Sequence, residues 1–375
     1  MIPFNKPFLT GNETKYIEEA VASGKISGNG MFTKKCQAFF ENTYGFKKCL
    51  LTTSCTDALE MCAILANINA DDEVIVPSYT FVSTALAFVR QNAKIIFADS
   101  SPRHPNMDVA TIEPLITNKT KAIVVVHYAG VACDMDAIMD LASTYNLIVI
   151  EDAAQAIASY YKGKPLGTIG HLSAFSFHET KNIISGEGGL LGINDEQFID
   201  RSEIIWEKGT NRSQFFRGEI NKYGWVDTGS SFLPSEIIAA FLYAQLENLE
   251  QIQNKRKQLW NAYYKQLSEA NITHFSLPQT PEYATQNGHM FYLVAKTEKH
   301  RNDLIAHLKD HNIHAVFHYQ SLHESDYYKN NHTGRALIHA NFFTACLVSL
   351  PLFFDLTLEQ VAQITKTIIA YDREI

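Results

Sequence analysis

From about residue 48 to residue 205, short apolar runs alternate with longer amphipathic stretches, and that alternation leaves the chain few architectures. The runs are Lys48–Thr53, Glu73–Pro77, Lys94–Ala98, Ala122–Val126, Leu147–Glu151, Ser173–Phe177 and Gly189–Ile193. Val74-Ile75-Val76 and Val124-Val125-Val126 place β-branched side chains on successive positions, so strands there are covered on both faces. Helix-like stretches such as Cys55–Leu65, Phe81–Arg90 and Asp134–Tyr145 lie between the runs. Strand alternating with helix predicts an α/β fold, a mostly parallel sheet flanked by helices. From Pro234 to about Leu267 the pattern becomes helical, with Ile237, Ile238, Phe241, Leu242, Leu249 and Ile252 on one spacing and Pro234 at its start. This predicts one long helix leaving the sheet. A strand-like Met290–Ala295, a helix near Arg301–Asn312, a strand-like Ala315–Tyr319 and a C-terminal helix then predict a small α+β domain. The expected division is residues 1–245 and 246–375.

Composition narrows the partners. With 46% hydrophobic and 19% charged residues the 375-residue chain can build a substantial core. A net charge of −8 argues against nucleic acid as a ligand. No apolar stretch approaches the roughly 20 residues of a membrane helix, and Met1–Lys6 does not resemble an export signal. The six cysteines form no CxxC pair and mostly sit in apolar segments. This argues against a zinc site or disulfide framework and predicts reduced thiols in the cytoplasm, with no bound metal.

Three segments carry chemistry. Asp152 follows the Leu147–Glu151 run, and Lys181 follows the Ser173–Phe177 run, so both emerge where open α/β sheets bind ligands, at the carboxyl ends of strands. A carboxylate there can keep a pyridinium nitrogen protonated, and a lysine can form an imine with an aldehyde and later carry a proton. Alone, Asp152 reads as a helix cap and Lys181 as a surface lysine. On neighbouring strand ends, followed by Gly186-Glu187-Gly188-Gly189, they point together to a cofactor site. Thr52–Leu59 joins a strand to a helix and offers hydroxyls and free amides to a phosphate, although Ser and Thr cap helices routinely. Pro77–Thr84 is a similar junction, where Phe81 either stacks on a cofactor ring or packs in the core.

These motifs, with Ser23-Gly24, Asp152–Gln155, Ser176–Lys181 and Leu350-Pro351-Leu352, resemble the DegT/DnrJ/StrS family of sugar aminotransferases nearly end to end. The resemblance implies the type I fold of pyridoxal 5'-phosphate (PLP) enzymes and a homodimer with active sites at the subunit interface. It implies that Lys181 forms the imine to PLP, that Asp152 meets the pyridine nitrogen and that Gln155 approaches the phenolic oxygen. Phe81 and Ala154 would cover the two ring faces. Ser54, Cys55, Thr56 and Ser176 would hold the phosphate. Many members place an Asn of the neighbouring subunit on that phosphate; here Ser231 stands at that position, in Gly229-Ser230-Ser231-Phe232-Leu233.

The implied reaction takes an amino group from L-glutamate to C4 of dTDP-4-keto-6-deoxy-D-glucose. The galacto product is favoured, with a gluco product or a 3-keto sugar substrate as alternatives. Arg212 and Arg217 suit a nucleotide diphosphate or, equally, a polar surface loop. His318 and Tyr319 suit the active site or a packed strand, and His178 suits the sugar or a structural hydrogen bond. Dehydratases of the family carry histidine in place of the imine lysine, so Lys181 argues against that chemistry. Lys181 and Asp152 together argue against a silent sugar-binding protein on the same fold.

Overall fold

The computed structural model describes residues 1–375. Seven strands form the large sheet: β1 Lys48–Thr52, β2 Glu73–Pro77, β3 Lys94–Ala98, β4 Thr120–Val126, β5 Ile148–Asp152, β6 Leu172–Ser176 and β7 Gly189–Ile193. Their spatial order is β1-β7-β6-β5-β4-β2-β3. The pairs from β6 to β3 are parallel, whereas β7 runs antiparallel to both β1 and β6. Successive residues of each strand enter opposite apolar layers, as a period of two requires. Leu50, Val74, Val76, Val124, Ile150 and Leu191 join one layer; Cys49, Leu51, Ile75, Ile123, Val125, Val149 and Leu190 join the other.

A smaller antiparallel sheet follows, of β8 Phe275–Ser276, β9 Phe291–Ala295 and β10 Leu347–Leu350 in that order. It has its own core, with Leu259, Tyr263, Phe291, Leu293, Leu304, Val348, Val361 and Ile364 all fully buried.

Two expectations need correction. The long helix after Pro234 is two helices, Glu236–Leu246 and Leu249–Glu269. Asn248 interrupts it with φ −109° and ψ 12°, and its side-chain amide donates to the Ala244 carbonyl at 2.9 Å. Asparagine competes for backbone groups in this way, which is why it breaks a helical run whose apolar spacing continues. The run Ala315–Tyr319 is not a strand. Only Val316 pairs, exchanging two backbone bonds with Ser349, after which the chain turns to carry His318 and Tyr319 into a pocket.

Candidate active site

The site lies at the carboxyl ends of β1, β5 and β6. Gly189 opens β7 and stands in register with Thr52 of β1 on one side and Ser176 of β6 on the other. A Cβ there would lie 2.4 Å from the Ser54 carbonyl group and 2.5 Å from the Cys55 nitrogen. Glycine thus lets the N-terminus of the Cys55–Leu65 helix close onto the sheet edge. Ser54 caps that helix, accepting from the Asp57 N–H at 3.1 Å. The Thr56 hydroxyl meets that of Ser83 at 2.8 Å. The first-turn N–H groups of Cys55 and Thr56 have no intrahelical acceptor and carry the positive end of the helix dipole. Amides, Ser54, Thr56 and Ser176 together form a cradle of the kind that holds a phosphate.

Asp152 ends β5 and is 5% exposed. Its Oδ2 accepts from the Thr84 hydroxyl at 2.7 Å and its Oδ1 from the Ala154 N–H at 3.2 Å. Thr84 is linked in turn to Thr80 at 2.9 Å. Burial pushes the Asp152 carboxyl above its ordinary range, against the opposing pull of Thr84, Ala154 and Lys181. One residue earlier, on the other face of the strand, Glu151 is fully buried and fully bonded. It accepts from Gly167, Ile169 and Gly170 N–H groups at 2.7, 2.8 and 2.6 Å and meets His127 Nε2 at 2.8 Å. Burial pushes this carboxyl up, but His127 and the backbone amides outweigh it and leave it low. Since His127 Nδ1 accepts from the Cys133 N–H at 3.2 Å, its proton sits on Nε2 and points at Glu151.

Lys181 hangs from the loop between β6 and β7, which is tied across its base by Phe177 N–H to Gly188 O and Glu179 N–H to Gly186 O. Gly186 turns that loop with φ +78°, a conformation that costs glycine nothing. The residue is partly exposed to a cavity, while its ammonium lies inside the protein. Burial lowers its pKa, with Cys55 and Asp152 opposing. The Cys55 thiol, raised by burial, feels the charges of both Asp152 and Lys181, so helix N-terminus, carboxylate and amine converge.

Gln155 accepts from the Ala129 N–H at 2.6 Å and donates to Tyr319 OH at 3.3 Å. Tyr319, pushed up to about 12 by burial and by Asp152, packs 6.1 Å from the ring of Phe81. Phe81 is 57% exposed, so it faces the site rather than the core. Ala154 is partly buried beside Asp152. His318 lines the Lys181 cavity, and burial with the Lys181 charge lowers it to about 4.

Arg212, Arg217 and Ser231 do not line the Lys181 cavity of their own chain, and His178 is bonded locally. Arg217 is held by Glu203 and Glu219 at 2.7 and 2.6 Å, and Arg212 lies over Phe216 and 3.9 Å from Glu207. Neither lines the Lys181 cavity. Ser231 is exposed and bridges Glu207 through its backbone. His178 Nδ1 is occupied by Thr180, whose N–H donates to it at 3.3 Å. Conversely, Thr84, Asn182 and His289 belong to the site without having been assigned a role from sequence. Thr84 had a signal, a hydroxyl one helical turn from Thr80. His289 had none, because it arrives from another sheet.

The donor set fits PLP. Asp152 has no cation within ion-pair distance, Lys181 Nζ makes no hydrogen bond to the protein, and the helix amides lack acceptors. A buried aspartate, an unpaired lysine and a phosphate cradle on one α/β sheet edge define a type I PLP-dependent enzyme. Residues 7–369 match the DegT/DnrJ/EryC1/StrS aminotransferase family, and the chain belongs to it. It is 32% identical over 371 residues to GDP-perosamine synthase of Escherichia coli O157:H7, covering 98% of this chain and 97% of that one. Among solved structures, the aminotransferase TlmJ from Streptoalloteichus hindustanus superposes with a TM-score of 0.91 at 25% identity, over 100% and 99% of the two chains. The PLP form of Spr1654 from Streptococcus pneumoniae gives 0.90 at 25% identity, again over 100% and 99%. The protein is a PLP-dependent sugar aminotransferase.

Proposed function

We propose that the enzyme moves an amino group from L-glutamate to C4 of dTDP-4-keto-6-deoxy-D-glucose. The product is a dTDP-4-amino-4,6-dideoxyhexose of galacto configuration for surface polysaccharide synthesis. The observation that carries this reading is the place of Val126–Cys133. With Glu207–Gly218, that stretch resembles dTDP-4-amino-4,6-dideoxygalactose transaminase of enterobacterial common antigen synthesis. It also walls the site: Ala129 bonds Gln155, and the Tyr128 ring lies 6.3 Å from that of Tyr319.

Lys181 and Asp152 are the catalytic pair in this proposal. Ser54, Cys55, Thr56 and Ser176 hold the phosphate, Phe81 and Ala154 cover the ring, and Gln155 meets its phenolic oxygen. When bound, PLP supplies an electron sink through which an amino group can pass between two carbonyl carbons. Lys181 Nζ carries the proton between donor and acceptor atoms, and burial lowers its pKa, the direction that favours the free amine. Asp152, anchored by Thr84 and Ala154, holds a proton at the ring nitrogen. His318 and Tyr319 face the sugar, and Arg212 and Arg217, which stand outside the Lys181 cavity, would meet a nucleotide diphosphate only where it extends beyond that cavity and after Arg217 exchanges its glutamate partners.

The chain is proposed to work as a homodimer in the cytoplasm, divided at residue 245 into a large and a small domain. Ser231 is accessible to a partner, and Trp225, 85% exposed, offers one an apolar contact. The break at Asn248 supports the division. The cysteines are free, and no helix is long and apolar enough to cross a membrane.

Incubation with dTDP-4-keto-6-deoxyglucose and L-glutamate, followed by NMR of the sugar ring, tests the reading. A galacto amine is expected; a gluco amine or no amino sugar overturns it. The relative named for a GDP sugar favours a second reading with a GDP-linked keto sugar, and competition between the two nucleotides decides it. Lys181→Ala is expected to abolish turnover and the absorbance band of the imine between the lysine and the cofactor, and normal turnover in it would remove Lys181 from the mechanism.

A further inference from the structure

The cavity that exposes Lys181 holds a second imidazole that the proposal above leaves unused. His289 and His318 both line it, together with Asn5, Thr180 and Tyr319. His289 is 9% exposed, and hydrogen bonds fix its tautomer. Asn182, the neighbour of Lys181 in sequence, donates from Nδ2 to Gln253 Oε1 at 2.8 Å and to the Asn287 carbonyl at 3.1 Å. Both amide protons are therefore used, and Asn182 Oδ1 is left as an acceptor. His289 Nδ1 lies 2.9 Å from that oxygen and must be the donor. Burial lowers the His289 pKa, and the Lys181 and Arg256 charges act in the same direction, favouring the neutral ring. A neutral ring protonated at Nδ1 presents a lone pair at Nε2, and no protein group bonds Nε2.

The two substrates of a sugar aminotransferase differ in what they can offer such an atom. The carboxylates of L-glutamate only accept hydrogen bonds, and a fixed lone pair repels them. A sugar hydroxyl donates. We propose that His289 is a positioning residue for the amino acceptor, its Nε2 receiving a hydrogen bond from a hydroxyl of the keto sugar. The inference rests on the sugar-aminotransferase reading, but not on which nucleotide or which C4 configuration is correct.

Two variants separate the ring nitrogens. His289→Asn keeps a donor near the Nδ1 position and loses Nε2; His289→Gln places an amide near Nε2. A buried hydrogen bond to a substrate hydroxyl, lost so that its partner is unsatisfied, is worth roughly 1–3 kcal/mol, or about 5- to 140-fold. His289→Asn is expected to raise KM for the keto sugar, and to weaken binding of the amino-sugar product by calorimetry, by about that factor. The single-turnover reaction with L-glutamate should stay within about twofold, and His289→Gln should recover part of the sugar affinity. Unchanged sugar KM in His289→Asn overturns the proposal. So does equal slowing of both half-reactions, which marks a structural histidine. If the wild-type enzyme rejects the dTDP sugar, the substrate named above is wrong. The same comparison then runs with the nucleotide keto sugar it accepts.

Discussion

Replacing Gly189 by Ala tests whether the helix N-terminus at Cys55 carries the phosphate. The added Cβ would stand 2.4 Å from the Ser54 carbonyl carbon and oxygen, where ordinary contact begins at 3.4 Å. The obstacle is backbone, so no side chain can swing aside, and β7 and the helix must separate by on the order of 1 Å. Such a shift stretches N–H···O distances from about 2.9 Å beyond hydrogen-bonding range. Two amide bonds to a charged phosphate, each worth about 1.5–3 kcal/mol, are at risk. Losing them weakens PLP binding by at least about 100-fold, at 1.4 kcal/mol per factor of ten. Titrating the PLP-free protein with cofactor and following its absorbance measures this, and thermal melting of the same sample should show the overpacking cost of roughly 1–3 kcal/mol. Ser176→Ala, which deletes one hydroxyl on the same row, should bind PLP only modestly worse and melt normally. If Gly189→Ala binds PLP within twofold of wild type, the cradle lies elsewhere.

Asp152 and Glu151 are expected to behave oppositely with pH. Burial raises the folded-state pKa of Asp152, so without cofactor its charge destabilises the fold above that pKa. That penalty fades as pH falls through it. PLP-free Asp152→Asn should therefore melt above wild type at neutral pH and converge with it in acid, while showing no transamination; a cofactor-free variant less stable than wild type at neutral pH refutes the account. Glu151, whose folded pKa is lowered, contributes stability that is present above its unfolded value and lost as pH falls through the folded one. Glu151→Gln leaves His127 and three amides with a poorer acceptor and should cost roughly 2–4 kcal/mol at neutral pH by denaturant titration. A change under about 0.5 kcal/mol would mean the network is ornamental.

Much of the large sheet could be read from the chain because both its faces are buried. A run such as Val74-Ile75-Val76 has no other stable use, and β2, β3 and β7 begin and end where the apolar runs do. Asp152 and Lys181 were legible for a related reason: Asp152 closes β5 and Lys181 lies in the loop after β6, and the two strands are parallel neighbours, so both reach the same edge of the sheet. The reversal of β7 was not legible, since an apolar run looks the same in either direction. Nor was Ala315–Tyr319, whose strand-like composition serves one bridge and then a pocket wall. His289 could not be found at all, since its place depends on Asn182 and Gln253 meeting from distant segments.

The reversed strand has a consequence for how the molecule is made. β1 is the first strand synthesised, yet its sole partner in the sheet is β7, with Lys48 opposite Ile193. Until that last strand leaves the ribosome, β1 has unpaired edges and the Thr52–Gly189–Ser176 row does not exist. Pairings across so long a stretch of chain form late. Cofactor capture is therefore a report that the sheet is finished, and a ligand that binds only the finished state pulls the nascent chain toward it by mass action.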